Sequence, residues 1–185
     1  STSSGYGMNE PPNVETQPDD CLNPYSVSKV NGEKLCKMYT SLYGLETVCF
    51  RYFNVYGNRQ PLKGQYAPVI GIFLRQLAAG QPLTIVGDGE QRRDFTHVDD
   101  VVNANIKAAL ANIDDKCFGQ VYNVGTGLNH SINEIAAMIS DNVIHIPPRL
   151  GEAKISLANN TKLRETFNWE PTVKLETYLV GMLNG

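Results

Sequence analysis

The stretch from Asn23 to Phe53 limits the fold more than any other part of the sequence. Asn23 offers a side-chain N-cap, Pro24 a first helical position that needs no backbone N–H, and Gly44 a stop that tolerates left-handed backbone. Between them the spacing predicts a helix from about Pro24 to Tyr43, with Val27, Val30, Leu35, Met38 and Leu42 near one face. The run Thr47-Val-Cys-Phe-Arg-Tyr-Phe53 follows at once, and its β-branched and aromatic content reads as a buried strand. A capped helix delivered directly into a buried strand indicates an α/β fold.

Before this unit, Met8 to Pro24 is polar and rich in proline and acid, which reads as a long surface loop. After it, helices are expected near Val69 to Ala79, Asp99 to Leu110, Ile132 to Ile139 and Thr161 to Phe167, with strands at Leu83 to Val86 and Gln120 to Val124. No internal repeat or low-complexity tract interrupts the alternation. The 185 residues, 42% hydrophobic and 19% charged, suffice for one globular domain or parts of two.

The net charge of −3 is spread without a basic cluster, so neither nucleic acid nor an anionic membrane is an expected partner. Cys21, Cys36, Cys49 and Cys117 lack C-x-x-C spacing and read as free buried thiols in a reducing compartment. No run of 18 apolar residues occurs, and STSSGYG has neither the basic end nor the apolar run of a signal peptide, so a cytoplasmic location is expected. The first residue is not methionine and the first segment reads as the end of a strand, which suggests the later part of a longer chain.

Tyr25 and Lys29 stand four positions apart on the expected helix, one turn apart on one face. A lysine ammonium beside a phenol favours the phenolate, which can take a proton from a sugar hydroxyl as hydride leaves the same carbon. Alone, the pair reads equally as an ordinary surface couple. Its company is more specific: STSSGYG upstream, NPYSVSK around it, then RYFNVYGNRQ, GDGEQRRDFTHVDDVVNAN and YNVGTG.

In this order and spacing the chain resembles the extended short-chain dehydrogenase/reductase family, specifically its NAD-dependent sugar epimerases and dehydratases, over nearly its whole length. The resemblance implies an α/β, Rossmann-like fold: the C-terminal portion of such an enzyme with its small substrate-binding domain, the first strands of the sheet missing. Residues 1–57 would be the remnant of the NAD-binding domain carrying the Tyr/Lys helix, and 58–185 mainly the UDP-sugar-binding domain.

By that resemblance Tyr25 is the catalytic base, Lys29 its partner and a contact of the nicotinamide ribose, and Thr2 the catalytic hydroxyl. Ser3 and Ser4 are substrate contacts or strand-end backbone caps. Tyr52 and Phe53 match residues lining the nicotinamide, with core packing as the alternative. Asn54 matches a contact of the substrate pyrophosphate, and Arg93 an arginine whose fork suits a diphosphate, whereas Arg92 is expected to be solvated. Arg149 and Glu152 resemble the residues that hold the nucleotide. Ala67, Val69 and Val86 fall where the family packs uracil and ribose, or are ordinary core residues. No metal is expected: Asp99 and Asp100 after His97 read as acids meeting a helix dipole, and His130 and His145 as structural or exposed.

Family dehydratases and decarboxylases carry an acid just after the catalytic Ser/Thr, where this chain has Ser3 and Ser4, so simple 4-epimerisation is favoured. The family's gate residue, four past the nucleotide-binding acid, falls on Ser156, and its small side chain implies acceptance of UDP-GlcNAc and UDP-GalNAc. A slip of one residue would put Ile155 or Leu157 there. None of the Gly-x-Gly sites has the third glycine of a dinucleotide-binding turn. NAD is thus a family expectation with most of its site absent, and these residues alone are expected to be inactive. A homodimer or a complementing NAD-binding half is the expected partner, beside the UDP-sugar. A non-catalytic nucleotide-sugar-binding module and a dehydratase or decarboxylase remain as alternatives.

Overall fold

The computed structural model describes residues 1–62, 67–148 and 153–184. Helix α1 spans Pro24–Tyr43, with the Asn23 side chain accepting from the Ser26 N–H and Gly44 closing the helix at φ +66°. It leads into strand β1, Val48–Tyr52. The short β2, Val55–Tyr56, is followed by α2, Val69–Ala78, and β3, Leu83–Val86. Then come β4, Arg92–Asp94, β5, Thr96–His97, and α3, Val98–Leu110. Strand β6, Gln120–Val124, β7, Asn129–Ser131, and α4, Ile132–Ala137, precede β8, Val143–Ile146, and the final helices α5, Thr161–Phe167, and α6, Leu175–Asn184.

Pairing is mostly parallel and non-local. β1 lies beside β6, β2 beside β5 and β3 beside β8, all parallel, while β4 and β7 are antiparallel. A parallel bridge from Thr2 to Tyr52 lays the first residues along the end of β1. Among the described residues three apolar clusters fill the interior, the smallest of them Tyr6, Phe53 and Ala158, and two are larger. One joins Tyr56, Ile70, Phe73, Leu83, Ile85, Phe95, Ile135 and Leu179. The other joins Phe50 of β1 to Val101, Tyr122, Val124, Leu163, Phe167 and Trp169. Residues before 57 thus share a core with segments beyond 100.

The helix α1 is where packing departs most from the sequence pattern. Of the expected apolar face only Val30 is buried; Val27, Leu35, Met38 and Leu42 are exposed. The buried stripe is instead Ser26, Val30 and Glu33, because the helix is anchored to β1 by the ion pair of Glu33 with Arg51 rather than by its aliphatic side. Nothing among the described residues covers the apolar side.

Three further expectations are corrected. Arg92 is not a solvated side chain: it pairs with Glu134 at 2.9 Å and donates to Asn129, fastening β4 to β7 and α4. Asp100 does more than meet a helix dipole. It is 1% exposed and accepts from the Thr172 N–H and hydroxyl and from the Val173 N–H, while its carbonyl accepts from the Trp169 indole, so it clamps the chain between α5 and α6. The four cysteines are partly rather than fully buried, and all are free. Among the described residues no helix is long and apolar enough to cross a membrane, and no three metal-ligating side chains gather.

Burial pushes Tyr6 and Tyr122 up to about 12. A group whose folded pKa lies above its unfolded value stabilises the fold below the unfolded pKa and loses that contribution as pH rises through the folded one. Stability should therefore hold from neutral pH to about 9 and fall steeply between about 10 and 12. Urea unfolding midpoints across that range check this; a flat profile to pH 12 would contradict the burial of these phenols.

Candidate active site

A cleft of about 930 Å³ opens where the two larger clusters meet. It gathers ten of the residues singled out in the sequence: Thr2, Ser3, Ser4, Tyr25, Tyr52, Asn54, Ala67, Val69, Val86 and Arg93. Thr2 and Tyr52 are brought together by their backbone bridge, and Tyr25 by the start of α1. Val86 is the register partner of Ile146 on β8, and both line the cleft with Val69, so part of its wall is a two-stranded apolar strip.

The hydroxyls beside β1 are arranged by local geometry. The Thr2 Oγ1 caps the 3-10 turn Ser3–Tyr6 by accepting from the Ser4 N–H, and donates to the Ser4 Oγ at 3.1 Å. Thr2 therefore plays the capping part weighed for Ser3 and Ser4, and Ser4 is the exposed hydroxyl of the three. Tyr25 is 46% exposed, with the Lys29 ammonium 5.6 Å from its ring centroid. Lys29 is not part of the cleft wall. Phe53 is not there either: it is fully buried, its ring 6.2 Å from that of Tyr6 and packed with Ala158.

Asn54 uses both amide hydrogens internally, donating to the Asp94 carbonyl at 3.1 Å and to the Ser156 Oγ at 3.2 Å. Ser156 is fixed by its own N–H to the Arg92 carbonyl. It lines a smaller cavity of about 160 Å³ that shares Ser3, Ser4, Asn54 and Arg93 with the main cleft. The Arg93 guanidinium lies between the two and donates to the carbonyls of Arg92 and Lys154. Arg149 and Glu152 lie outside the described residues.

Asp94 ties these parts together. Its fully buried carboxylate accepts from the N–H groups of Thr126, Gly127 and Ala158 and from the Thr126 hydroxyl. Burial pushes its pKa up while those four bonds oppose the rise. The YNVGTG motif is explained here: Gly127 takes φ +77°, and a Cβ on Gly125 would stand 2.4 Å from that of Ala158. The amides of this glycine turn hold an internal carboxylate.

The cleft also includes residues assigned no role from the sequence, among them Tyr56, Gln60, Gln91 and Ile146. The Tyr56 hydroxyl and Gln60 Oε1 are buried with no hydrogen-bond partner among the described residues. Tyr56 was legible in the NVYG motif, and Ile146 in the β-branched run Val143 to Ile146.

Phenol and hydroxyls thus line one side of the cleft and an apolar strip the other. Residues 1–125 match the model of the NAD dependent epimerase/dehydratase family, and the chain belongs to that family. The UDP-glucose 4-epimerase of Mycolicibacterium smegmatis is 40% identical over 94% of this chain and 57% of its own length. A UDP-N-acetyl-alpha-D-glucosaminuronate decarboxylase of Bacillus cytotoxicus is 36% identical over 95% of this chain and 59% of its own. Among solved structures, the UDP-N-acetylglucosamine 4-epimerase of Methanobrevibacter ruminantium, in complex with UDP-N-acetylmuramic acid, superposes with a TM-score of 0.91 at 34% identity, covering all of this chain and 60% of that one. The fold is thus the Rossmann-like one of these epimerases, and the chain spans about 60% of the length of the relatives it matches.

Replacing Asp94 by Asn puts an amide NH₂ against N–H donors. We expect a loss of about 2–4 kcal/mol in urea unfolding; a loss under about 0.5 kcal/mol would mean the four bonds are not the junction they resemble.

Proposed function

We propose that this protein is a UDP-hexose 4-epimerase acting on UDP-GlcNAc and UDP-GalNAc, with UDP-Glc and UDP-Gal as further substrates. The observation that carries the reading is the meeting of Thr2, Tyr25 and Tyr52 in one cleft with Ser3 and Ser4, and no acid, immediately after Thr2. That absence also weighs against the elimination or decarboxylation run by other members of the family.

The residues present fit the nicotinamide end of NAD: a half-exposed phenol and Tyr52 lining one cleft, and a lysine beside the phenol ring. Tyr25, Lys29 and Tyr52 would hold it there, and bound NAD supplies the acceptor and donor of hydride at C4. Tyr25 takes the proton of the 4-hydroxyl and returns it when the sugar is reduced on its other face. The Thr2 and Ser4 hydroxyls orient that oxygen. No net oxidation results, so the roles of acid and base fall on one residue.

On the nucleotide side, Ala67, Val69 and Val86 offer an apolar seat for uracil and ribose. Arg93 supplies charge for the diphosphate, and Asn54 joins it by releasing Ser156. Arg149 and Glu152 are proposed for the ribose on the resemblance alone. The cavity at Ser156 is comparable to one that admits benzene, ample for an acetamido group. Residues 1–57 are read as the cofactor side and 58–185 as mainly the sugar-nucleotide side. The exposed apolar face of α1 is read as a contact with a second copy or with an NAD-binding half.

Calorimetric titration with UDP-GlcNAc, with and without NAD, followed by an epimerisation assay, tests the reading; no binding under either condition would contradict it. Tyr25→Phe in the active enzyme should lower turnover by about 10²–10⁴-fold and leave UDP binding nearly unchanged. Ser156→Tyr should cut kcat/KM for the N-acetylated sugars at least about tenfold relative to UDP-Glc, and an unchanged ratio would remove Ser156 as the gate.

A further inference from the structure

Tyr25, Lys29 and Glu33 fall at i, i+4 and i+8 on one stripe of α1. The first two are exposed, whereas Glu33 is buried and has no part in the proton transfer. Its carboxylate has three protein donors. Oε1 accepts from the Arg51 Nε at 2.9 Å and from the Ser1 hydroxyl, and Oε2 accepts from the Arg51 Nη2 at 2.7 Å. Those donors stand next to residues of the site: Ser1 precedes Thr2, and Arg51 precedes Tyr52. One side chain is therefore bonded to the two segments that carry the hydroxyl and the aromatic wall, while its own helix carries the phenol.

We infer that Glu33 is a positioning residue, whose carboxylate sets the separation of Tyr25, Thr2 and Tyr52 by locking α1, the first residues and β1 to one another. The inference rests on the reading of the cleft as a hydride-transfer site. Both partners of the pair are buried, so parting them would strand a charge away from water, and the three segments cannot drift independently. Arg51 is held on its other side by Asp19 at 2.9 Å and by the Tyr6 ring, 4.5 Å from the guanidinium carbon, which fixes the anchor as well as the load. A displacement of about 1 Å at a reacting group costs on the order of 10²-fold in rate. That sensitivity gives a reason for so rigid a junction one helical turn beyond Lys29.

The test replaces the pair without changing net charge, Glu33→Met together with Arg51→Met. Apolar residues of similar volume often keep a buried ion-pair site folded, and Asp19 retains Lys34 at 3.1 Å. In the folded double variant kcat for UDP-GlcNAc should fall at least about tenfold with KM within about twofold, because the nucleotide seat is untouched. The Tyr25 ring resonances in a ¹H–¹³C spectrum of tyrosine-labelled protein should shift and broaden. A merely structural pair would move neither, and an unchanged Tyr25 signal in a folded double variant overturns the inference. Glu33→Asp keeps the charge, withdraws it by one methylene and decides the same spectrum if the double variant does not fold. Absence of turnover in the unsubstituted enzyme would strike the functional reading, whereas the spectrum judges the positioning without it.

Discussion

The junction on which most of the structure depends is the carboxylate of Asp94. It lies at the end of β4 and accepts from the backbone after β6 and from Ala158, segments 32 to 64 residues away in sequence. No element there is long enough to hold itself: β4 has three residues and β2 and β5 have two each. Pairs this short are marginal alone, and a fixed acceptor for three N–H groups replaces the ladder they lack. Charge-assisted bonds to a buried carboxylate are also stronger than neutral ones. The same group leaves Phe53 and Ala158 in contact and holds Asn54 and Ser156 at the edge of the cleft through the neighbouring backbone.

A second polar junction does comparable work on the other side. Burial opposes the charge of Arg51, but the hydrogen bond and charge of Glu33 outweigh it and hold the guanidinium protonated. Buried ion pairs contribute little net stability compared with apolar packing, yet they admit very few alternative geometries. That exchange suits a helix whose aliphatic side is not used against its own strand. Two buried carboxylates, one under β4 and one under α1, thus fix the two walls of the cleft, and the apolar clusters fill the volume between.

What the sequence made legible was governed by locality. The bounds of α1 follow from Asn23, Pro24 and Gly44, each acting within a turn of its position, and β3 and β6 follow from runs of β-branched residues. β2, β4, β5 and β7 escaped because two or three residues carry no period, and their pairing is set by partners tens of residues away. Strand β8 was passed over although Val143 to Ile146 had the composition for it, and α6 although Leu175 and Leu179 stand one turn apart. The face of α1 shows the limit of periodicity: it marked an apolar stripe correctly, yet burial depends on what is packed there, and an ion pair chose the opposite side. Arg92 was misjudged for a related reason, since its partner Glu134 lies 42 residues on. The residues of the cleft were legible as motifs, whereas the bond between Asn54 and Ser156, 102 residues apart, belongs to tertiary structure alone.

The two walls of the cleft differ in kind, and the proposed reaction makes sense of that difference. Returning hydride to the opposite face requires the sugar ring to turn while its nucleotide stays in place. The wall formed by Ser3 and Ser4, with the capping hydroxyl of Thr2 behind Ser4, presents short hydroxyls that can both donate and accept, so a bond lost to one sugar oxygen can be regained by another. The wall formed by Val69, Val86 and Ile146 presents apolar area without polar direction, which in the proposed reaction would hold a flat base by burial wherever the sugar points. Arg93, between them, can keep a diphosphate through a rotation, because a planar fork with five N–H donors offers more than one pairing. Firm holding at one end and interchangeable bonds at the other would suit a site that turns its substrate over, as the proposed reaction requires.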